Sequence, residues 1–238
     1  MSALLEVRGL SKRFGGLAAN LNINFAIAPA EIIGLIGPNG AGKTTLFNCI
    51  AGFHRPSEGS ILFRGLDVTG APPERMARLG VARTFQLVRT FSSMTVLENV
   101  TVATLLHDKR LVVARERARL ALEFCGLSRR VSETAANLTV AEQRRLEVAR
   151  AIALQPKLLL LDETMAGLTP AEVQQAVELV SKIRAGGIAC LVVEHVMEGI
   201  MPIADQILVL DYGRKIAQGS PAQVRGDPAV IAAYLGES

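Results

Sequence analysis

A glycine-rich stretch at residues 37–45, GPNGAGKTT, constrains this 238-residue chain more than any other segment. It fits the pattern G-x-x-x-x-G-K-[ST], follows a predicted buried strand at Glu31–Ile36 and leads into a helical segment, TTLFNCIAGF. The glycines allow consecutive backbone N–H groups to turn inward, and the following helix N-terminus carries about half a positive charge. The sequence therefore predicts a site for the phosphates of a nucleoside triphosphate.

The side chains of this loop have separate expected roles. Lys43 supplies a full positive charge for the β- and γ-phosphates, and Thr44 offers a hydroxyl group to a Mg²⁺ ion. A simple glycine turn would not need this Lys-Thr pair, so we favour the phosphate site. The expected nucleotide-binding residues are Gly37, Pro38, Asn39, Gly40, Ala41, Gly42, Lys43, Thr44 and Thr45.

A second apolar run, LLLLDE, ends in the carboxylates Asp162 and Glu163. A buried parallel strand carries its functional groups at its C-terminal edge, where Asp162 can complete a Mg²⁺ shell with Thr44. Glu163 can orient an attacking water or accept its proton, which indicates hydrolysis rather than binding alone. The alternative is an acidic strand end that caps the next helix.

A third apolar run, LVVEH, ends at His195. At the mouth of the same sheet, this side chain can donate a hydrogen bond to the γ-phosphate. A single histidine is more often structural, and the sequence alone leaves both interpretations open.

The remaining patterns predict an α/β domain with an inserted helical segment. LLEVRGLSKRFGG and LNINFAIAPA alternate apolar and polar residues, which indicates antiparallel strands. Later strands alternate with helices, which favours a parallel sheet covered by helices. We expect one domain over residues 1–238, with a nucleotide-binding core at 1–87 and 157–238 and a helical subdomain at 88–156.

Composition argues against several other classes of protein. Half of the residues are hydrophobic, and the net charge of +4 comes without a dense Lys/Arg run, so nucleic acid is not an expected partner. The three cysteines lack metal-ligand spacing and are expected to be buried and reduced. The N-terminus does not resemble a signal peptide. The most apolar region contains Glu194, His195, Glu198 and Asp205, so we expect no membrane span.

A predicted capping box stands directly ahead of the LLLLDE strand, in LTVAEQRRLEVAR. Thr139 is a good N-cap, and Glu142 follows three residues later. Together with the glycine loop, RTFQ, LLLLDE and His195, this helix resembles the ATP-binding subunits of ABC transporters over essentially the whole chain. The resemblance implies a P-loop NTPase core with a mixed sheet, an N-terminal antiparallel β subdomain and an inserted helical subdomain.

The resemblance also implies further site residues. In that family two subunits dimerise head to tail, and a signature loop of one subunit caps the ATP held by the other. Thr139 and Ala141 would make that contact here. Phe14 would stack on the adenine ring, although a strand-core role is the alternative. Gln86 would reach the Mg²⁺ site and sense the γ-phosphate, and the surface after it would receive a membrane subunit.

The chain departs from the family pattern at two places. Residues 139–142 are Thr-Val-Ala-Glu where Ser-Gly-Gly-Gln is usual, so we expect this loop to avoid positive φ and Glu142 to turn back to its own N-cap amide. Thr169 stands where Asp is common. We expect it to cap the helix that Pro170 starts, and the communication between the two ATP sites to differ from the usual.

The resemblance predicts an ATPase subunit of an ABC importer, bound peripherally to the cytoplasmic face of the inner membrane, with ATP and Mg²⁺ as cofactors. Its expected partners are a second ATP-binding subunit in a homo- or heterodimer, transmembrane permease subunits and, indirectly, a substrate-binding protein. FGGLAA, RTFQLVRTFSSMTVLENV and DPAVIAAYLGE are similar to the branched-chain (hydrophobic) amino acid branch. Importers of urea or short amides share these features. A soluble ABC ATPase acting in DNA repair or translation and a small-molecule kinase are less favoured alternatives.

Overall fold

The computed structural model describes residues 3–85 and 90–235 of the chain. The strands are β1 (Leu5–Phe14), β2 (Leu17–Ile27), β3 (Ile32–Ile36), β4 (Glu58–Phe63), β5 (Leu66–Asp67), β6 (Val81–Arg83), β7 (Leu158–Asp162), β8 (Ala189–Val193), β9 (Gln206–Asp211) and β10 (Arg214–Gly219). The helices are α1 (Lys43–Ile50), α2 (Pro73–Leu79), α3 (Val96–Thr104), α4 (Leu111–Phe124), α5 (Val140–Ala153), α6 (Pro170–Ala185), α7 (Met197–Ile200), α8 (Pro221–Arg225) and α9 (Pro228–Leu235).

The larger sheet has the strand order β10-β9-β3-β8-β7-β6. The strands from β9 to β6 pair in parallel, and β10 joins antiparallel through the predicted hairpin. β3, β7 and β8 are buried along their whole length, as expected for apolar five-residue strands covered on both faces. The mixed α/β architecture predicted from the sequence is confirmed.

Successive side chains of these buried strands enter two different cores. Leu158 and Leu160 pack in a core shared with the N-terminal sheet and α1, whereas Leu159 and Leu161 pack in the core on the helical side. β8 alternates in the same way. This follows from the two-residue period of a strand, and a one-residue slip in register would exchange the two faces.

The smaller sheet is antiparallel, with the order β2-β1-β4-β5. Its inward side chains, including Leu5, Ile23 and Phe63, cover one face of the larger sheet and are almost fully buried. The antiparallel strands expected near the N-terminus are therefore present.

Helices α3, α4 and α5 lie between β6 and β7 in the sequence and pack against one another. Val100, Ala118 and Leu146 bury their side chains in the core on the helical side. The proposed subdomain boundaries at residues 88 and 156 stay predictions. Within residues 3–85 and 90–235, none of the helices has both the length and the apolar character needed to cross a bilayer.

The three cysteines are free and buried, as predicted. Burial raises the pKa of the Cys49 thiol to about 11 and those of Cys125 and Cys190 to about 12. At neutral pH these side chains are protonated and serve as small apolar groups.

Candidate nucleotide-binding site

The glycine loop connects the end of β3 to the first residue of α1, as predicted. Gly42 is the N-cap of α1, with φ +95°, and a Cβ atom there would lie 2.3 Å from the carbonyl oxygen of Ala19. A Cβ atom at Gly37 would lie 2.0 Å from the carbonyl oxygen of Leu210. Glycine is therefore required at both positions, because the neighbouring backbone leaves no room for a side chain.

Two contacts hold the loop from behind. The fully buried Asn20 donates from Nδ2 to the carbonyl of Gly42 at 3.1 Å, and the Gly213 amide donates to the carbonyl of Ala41 at 3.1 Å. Neither Asn20 nor Gly213 belongs to a recognisable sequence motif, so the sequence analysis missed both. They align the loop with β2 and with the turn of the β9–β10 hairpin.

Lys43 is 6% exposed and donates from Nζ to the carbonyls of Gly37 at 2.6 Å and Pro38 at 2.8 Å. Burial lowers the pKa of Lys43, and the nearby Glu163 and Asp162 carboxylates oppose this shift. The ammonium group therefore lies within the electrostatic reach of both strand-end carboxylates, even though these residues are about 120 positions away in the sequence.

Asp162 is the last residue of β7 and is buried. Its Oδ2 accepts a hydrogen bond from Arg83 Nη2 at 3.1 Å, and its backbone amide donates to Thr84 Oγ1 at 3.0 Å. Burial raises the pKa of Asp162, and the Arg83 guanidinium opposes that rise. Arg83, for which the sequence predicts no role, also lies over the ring of Phe85 at 4.6 Å.

Glu163 follows β7 directly and has a left-handed backbone, with φ +49°. This conformation costs about 1–2 kcal/mol for a residue other than glycine. The Glu163 amide donates to the carbonyl of Val193 at 2.9 Å, and its Oε1 lies 2.9 Å from Nε2 of His195. The predicted strand ends thus bring this carboxylate and this histidine into contact.

Most of the predicted site residues line one cavity. Its volume of about 490 Å³ is suitable for a small-molecule ligand. Phe14 borders it at the end of β1 and is 44% exposed, so this ring is not part of the strand core. Its ring packs edge-on against His54, with centroids 5.3 Å apart. The cavity is lined by Phe14, Leu17, Ala18, Ala19, Asn39, Gly40, Ala41, Gly42, Lys43, Thr44, Thr45, Glu163, His195, Tyr212 and Gly213. Tyr212, 86% exposed, was missed by the sequence analysis.

Several predicted residues, including Asp162, are not among those that line this cavity. Gly37 and Pro38 form the back of the loop through their carbonyl contacts with Lys43. Thr139 and Ala141 lie at the start of α5. Gln86 lies outside the described residues.

The start of α5 has the predicted capping box. Thr139 Oγ1 accepts from the Glu142 amide at 3.3 Å, and Glu142 Oε2 accepts from the Thr139 amide at 3.0 Å. Arg130 Nε donates to the other carboxylate oxygen at 2.8 Å, and these hydrogen bonds lower the pKa of Glu142. Residues 139–142 have no positive φ, as expected, and the Glu142 charge is compensated within the same subunit.

Thr169 caps α6 through an equivalent box with Glu172, and Pro170 is the first residue of the helix, as predicted. Because Thr169 occupies the N-cap position, the alternative role of Glu163 as the cap of this helix is wrong.

The residues present suit a Mg²⁺ ion that is shared with a nucleotide. Thr44 is exposed at the cavity, and Asp162 ends β7, which is separated by β8 from the strand β3 that leads into the glycine loop. Mg²⁺ commonly binds to one or two carboxylates together with substrate phosphates. The negative charge of Asp162 opposes the lowering of the Lys43 pKa by burial.

Glu194 is a further buried acid at this edge of the sheet, and no role was predicted for it. Its side chain is fully buried, and its Oε1 accepts from the Met165 amide at 2.8 Å and from Thr164 Oγ1 at 3.4 Å. Burial raises the pKa of Glu194 to about 7, although these donors and the His195 backbone oppose the shift.

Comparisons with known proteins place this architecture in one family. Residues 21–166 match the ABC transporter family model, and residues 214–238 match a model described as branched-chain amino acid ATP-binding cassette transporter. The high-affinity branched-chain amino acid transport ATP-binding protein LivG of Escherichia coli (strain K12) is 45% identical, with coverage of 99% of this chain and 98% of that protein. BraF of Pseudomonas aeruginosa, which carries the same description, is 41% identical over the same shares.

The solved structures agree with this assignment. The ADP conformation of MJ1267, an ATP-binding cassette of an ABC transporter, has a TM-score of 0.91 and 29% identity, with complete coverage of both chains. The chain therefore belongs to the ABC transporter family. Within that family it is a nucleotide-binding cassette whose ATPase activity is coupled to transport. The alternatives of a soluble ABC ATPase and a kinase are not favoured.

We expect Gly42→Ala to weaken nucleotide binding by about tenfold or more, because the left-handed backbone and the collision with Ala19 both distort the loop. Gly40→Ala is the matched control, since Gly40 also has a positive φ (+81°) but no atom within 4 Å of its Cβ position. Titration of a fluorescent ATP analogue, followed by anisotropy, measures both affinities. Equal losses in the two variants would exclude the collision as the cause.

We expect wild-type stability to fall relative to Glu194→Gln between pH 5 and pH 8. The folded-state pKa of Glu194 lies above its unfolded value, so the stability that its proton contributes is present at low pH and is lost as the pH rises through about 7. From pH 5 to pH 8, the free energy of unfolding of the wild type should fall by roughly 2 kcal/mol relative to that of Glu194→Gln. Urea unfolding of both proteins at each pH measures it, and a pH-independent difference would contradict the prediction.

Proposed function

We propose that this chain binds ATP with Mg²⁺ in the cavity beneath the glycine loop and hydrolyses the γ-phosphate. The observation that carries this proposal is the contact of Glu163 with His195, 2.9 Å apart, on the cavity that the phosphate loop lines. A phosphate cradle, an adjacent carboxylate and a polarising side chain are the parts that attack by water requires.

In the proposed reaction, Glu163 orients a water molecule and accepts its proton as the water oxygen bonds to the γ-phosphorus. The bond between that phosphorus and the bridging oxygen breaks, and ADP and phosphate leave. Lys43 exchanges its loop carbonyls for phosphate oxygens, and His195 donates to the γ-phosphate. Mg²⁺, held by Thr44 and Asp162, would neutralise charge on the β- and γ-oxygens. Phe14 would stack on the adenine ring.

The start of α5 supports a role across a dimer interface. Thr139 and Ala141 are not among the residues that line the cavity of their own subunit, and they belong to a helix N-terminus that favours anions. Arg130 compensates the Glu142 charge that would otherwise repel a triphosphate. We therefore propose that Thr139 and Ala141 contact the ATP of a second ATP-binding subunit, and that Gln86 serves the Mg²⁺ site.

The transported substrate is proposed from the relatives. LivG and BraF are described as high-affinity branched-chain amino acid transport ATP-binding proteins, and the match at residues 214–238 bears the same class of description. We propose that this chain powers branched-chain amino acid import from the cytoplasmic face of the membrane, together with permease subunits and a substrate-binding protein. A relative described as a lipopolysaccharide export ATP-binding protein, from Acidithiobacillus ferridurans, is less similar, at 33% identity.

Glu163→Gln should keep ATP affinity within about threefold and lower the hydrolysis rate by about a hundredfold or more, because the amide cannot accept the proton from water. ATP and Mg²⁺ should then trap a dimer that size-exclusion chromatography with light scattering detects. Glu178→Gln, on the exposed face of α6, is the matched control and should hydrolyse ATP normally. Full hydrolysis by the Glu163 variant would remove this carboxylate from the proposed mechanism.

The substrate proposal is tested with the assembled transporter. The complex is captured from native membranes through a tag on this chain and reconstituted in proteoliposomes, and uptake of labelled leucine, urea and acetamide is compared. We expect ATP-dependent accumulation of leucine only, with Lys43→Ala as the control that lacks ATP hydrolysis. Uptake of urea or acetamide instead would overturn the amino acid assignment, and a complex without membrane subunits would overturn the transport role.

A further inference from the structure

The two strand ends that carry Glu163 and His195 are joined by more than sheet hydrogen bonds. β7 and β8 run parallel, with Asp162 opposite Val193, so Glu163 and Glu194 are the next residues along neighbouring strands. The Glu163 amide donates to the carbonyl of Val193 at 2.9 Å. This backbone bond anchors the amino side of the left-handed residue Glu163.

The carboxyl group of Glu194 anchors the other side. Its Oε1 accepts from the Met165 amide at 2.8 Å and from the Thr164 hydroxyl at 3.4 Å. Together with the Val193 carbonyl, it brackets the left-handed turn, whose φ of +49° at Glu163 is unfavourable without such contacts. The backbone around Glu163 is therefore held by the Val193 carbonyl at the Glu163 amide and by the Glu194 carboxyl group at the two residues that follow.

The burial of Glu194 indicates that position 194 requires a hydrogen-bond acceptor and not only a side chain of this volume. The side chain is fully buried, and within the described residues its Oε2 has no hydrogen-bond partner. An apolar side chain of similar size would fill this place without the cost of burying a carboxyl group. An apolar side chain could not accept the hydrogen bond from the Met165 amide. That buried donor would then be left unsatisfied.

We propose that Glu194 is a positioning residue for ATP hydrolysis: by accepting from Met165 and Thr164, it holds the left-handed turn that places the Glu163 carboxylate against His195. This inference rests on the proposed role of Glu163 in hydrolysis. Glu194 touches no substrate and acts through the loop that follows β7. A displacement of the carboxylate by about 1 Å is enough to reduce a positioned reaction step by about a hundredfold.

The kinetic test compares substitutions that keep or remove the acceptor. Glu194→Gln keeps an oxygen at the Oε1 position and should retain kcat within about threefold. Glu194→Leu, which keeps the volume but has no acceptor, and Glu194→Asp, whose carboxyl group is one methylene too short, should lose kcat by about ten- to a hundredfold. KM for ATP should stay within about threefold in all three, since the cavity does not include Glu194.

The control for general destabilisation is Ile183→Val, which removes one methyl group from a fully buried side chain of α6. It should lower thermal stability without changing kcat. A Leu variant with kcat within twofold of wild type would overturn the proposal. Equal losses of kcat in the Gln and Leu variants would also overturn it, because the retained acceptor would then be irrelevant.

A spectroscopic measurement separates this proposal from the proposed function. The chain has only three histidines, so the ring resonances of His195 can be assigned in NMR spectra by single substitutions. Without nucleotide, these resonances should shift in Glu194→Leu and Glu194→Asp, and remain near wild-type positions in Glu194→Gln and Ile183→Val. Unchanged His195 resonances in the Leu and Asp variants would overturn the positioning role, whether or not the wild-type protein hydrolyses ATP.

Discussion

The parallel pairing of β3, β8 and β7 is the constraint on which the rest of the molecule depends. Parallel strands end at the same edge of a sheet, so their pairing gathers the glycine loop after β3, Glu163 after β7 and His195 after β8 around one cavity. The same pairing divides alternate side chains between two cores. A slip of one residue would therefore destroy the packing and the site together.

The site concentrates unfavourable features that the surrounding structure compensates. Lys43 is buried against loop carbonyls, Asp162 is buried beside Arg83, and Glu163 adopts a left-handed backbone. Each feature opposes folding, and each keeps a charged side chain near the proposed position of the nucleotide phosphates. The two buried cores and the backbone bonds between β7 and β8 supply the stability that allows these costs.

Residues 139–142 show how a capping box fixes the backbone at the start of a helix. The start of α5 has no positive φ, so Val140 and Ala141 are accommodated without backbone strain. Glu142 is held by the Thr139 amide and by Arg130, so its charge is compensated before any nucleotide approaches. Thr169 shows the same pattern at α6. At both places, the start of α5 and the start of α6, the helix N-terminus has a capping box.

The sequence by itself determined the features that depend on near neighbours: the glycine loop, the apolar strands ending in Asp162, Glu163 and His195, and the capped helices. It also predicted that the strand ends would meet, because parallel strands share an edge. Only the tertiary structure decided which groups support them. Asn20 behind Gly42, Arg83 beside Asp162 and Glu194 turned toward Met165 join residues 22 to 79 positions apart. Such contacts depend on strand register and on which face each side chain takes, and no local pattern encodes either for a single polar residue.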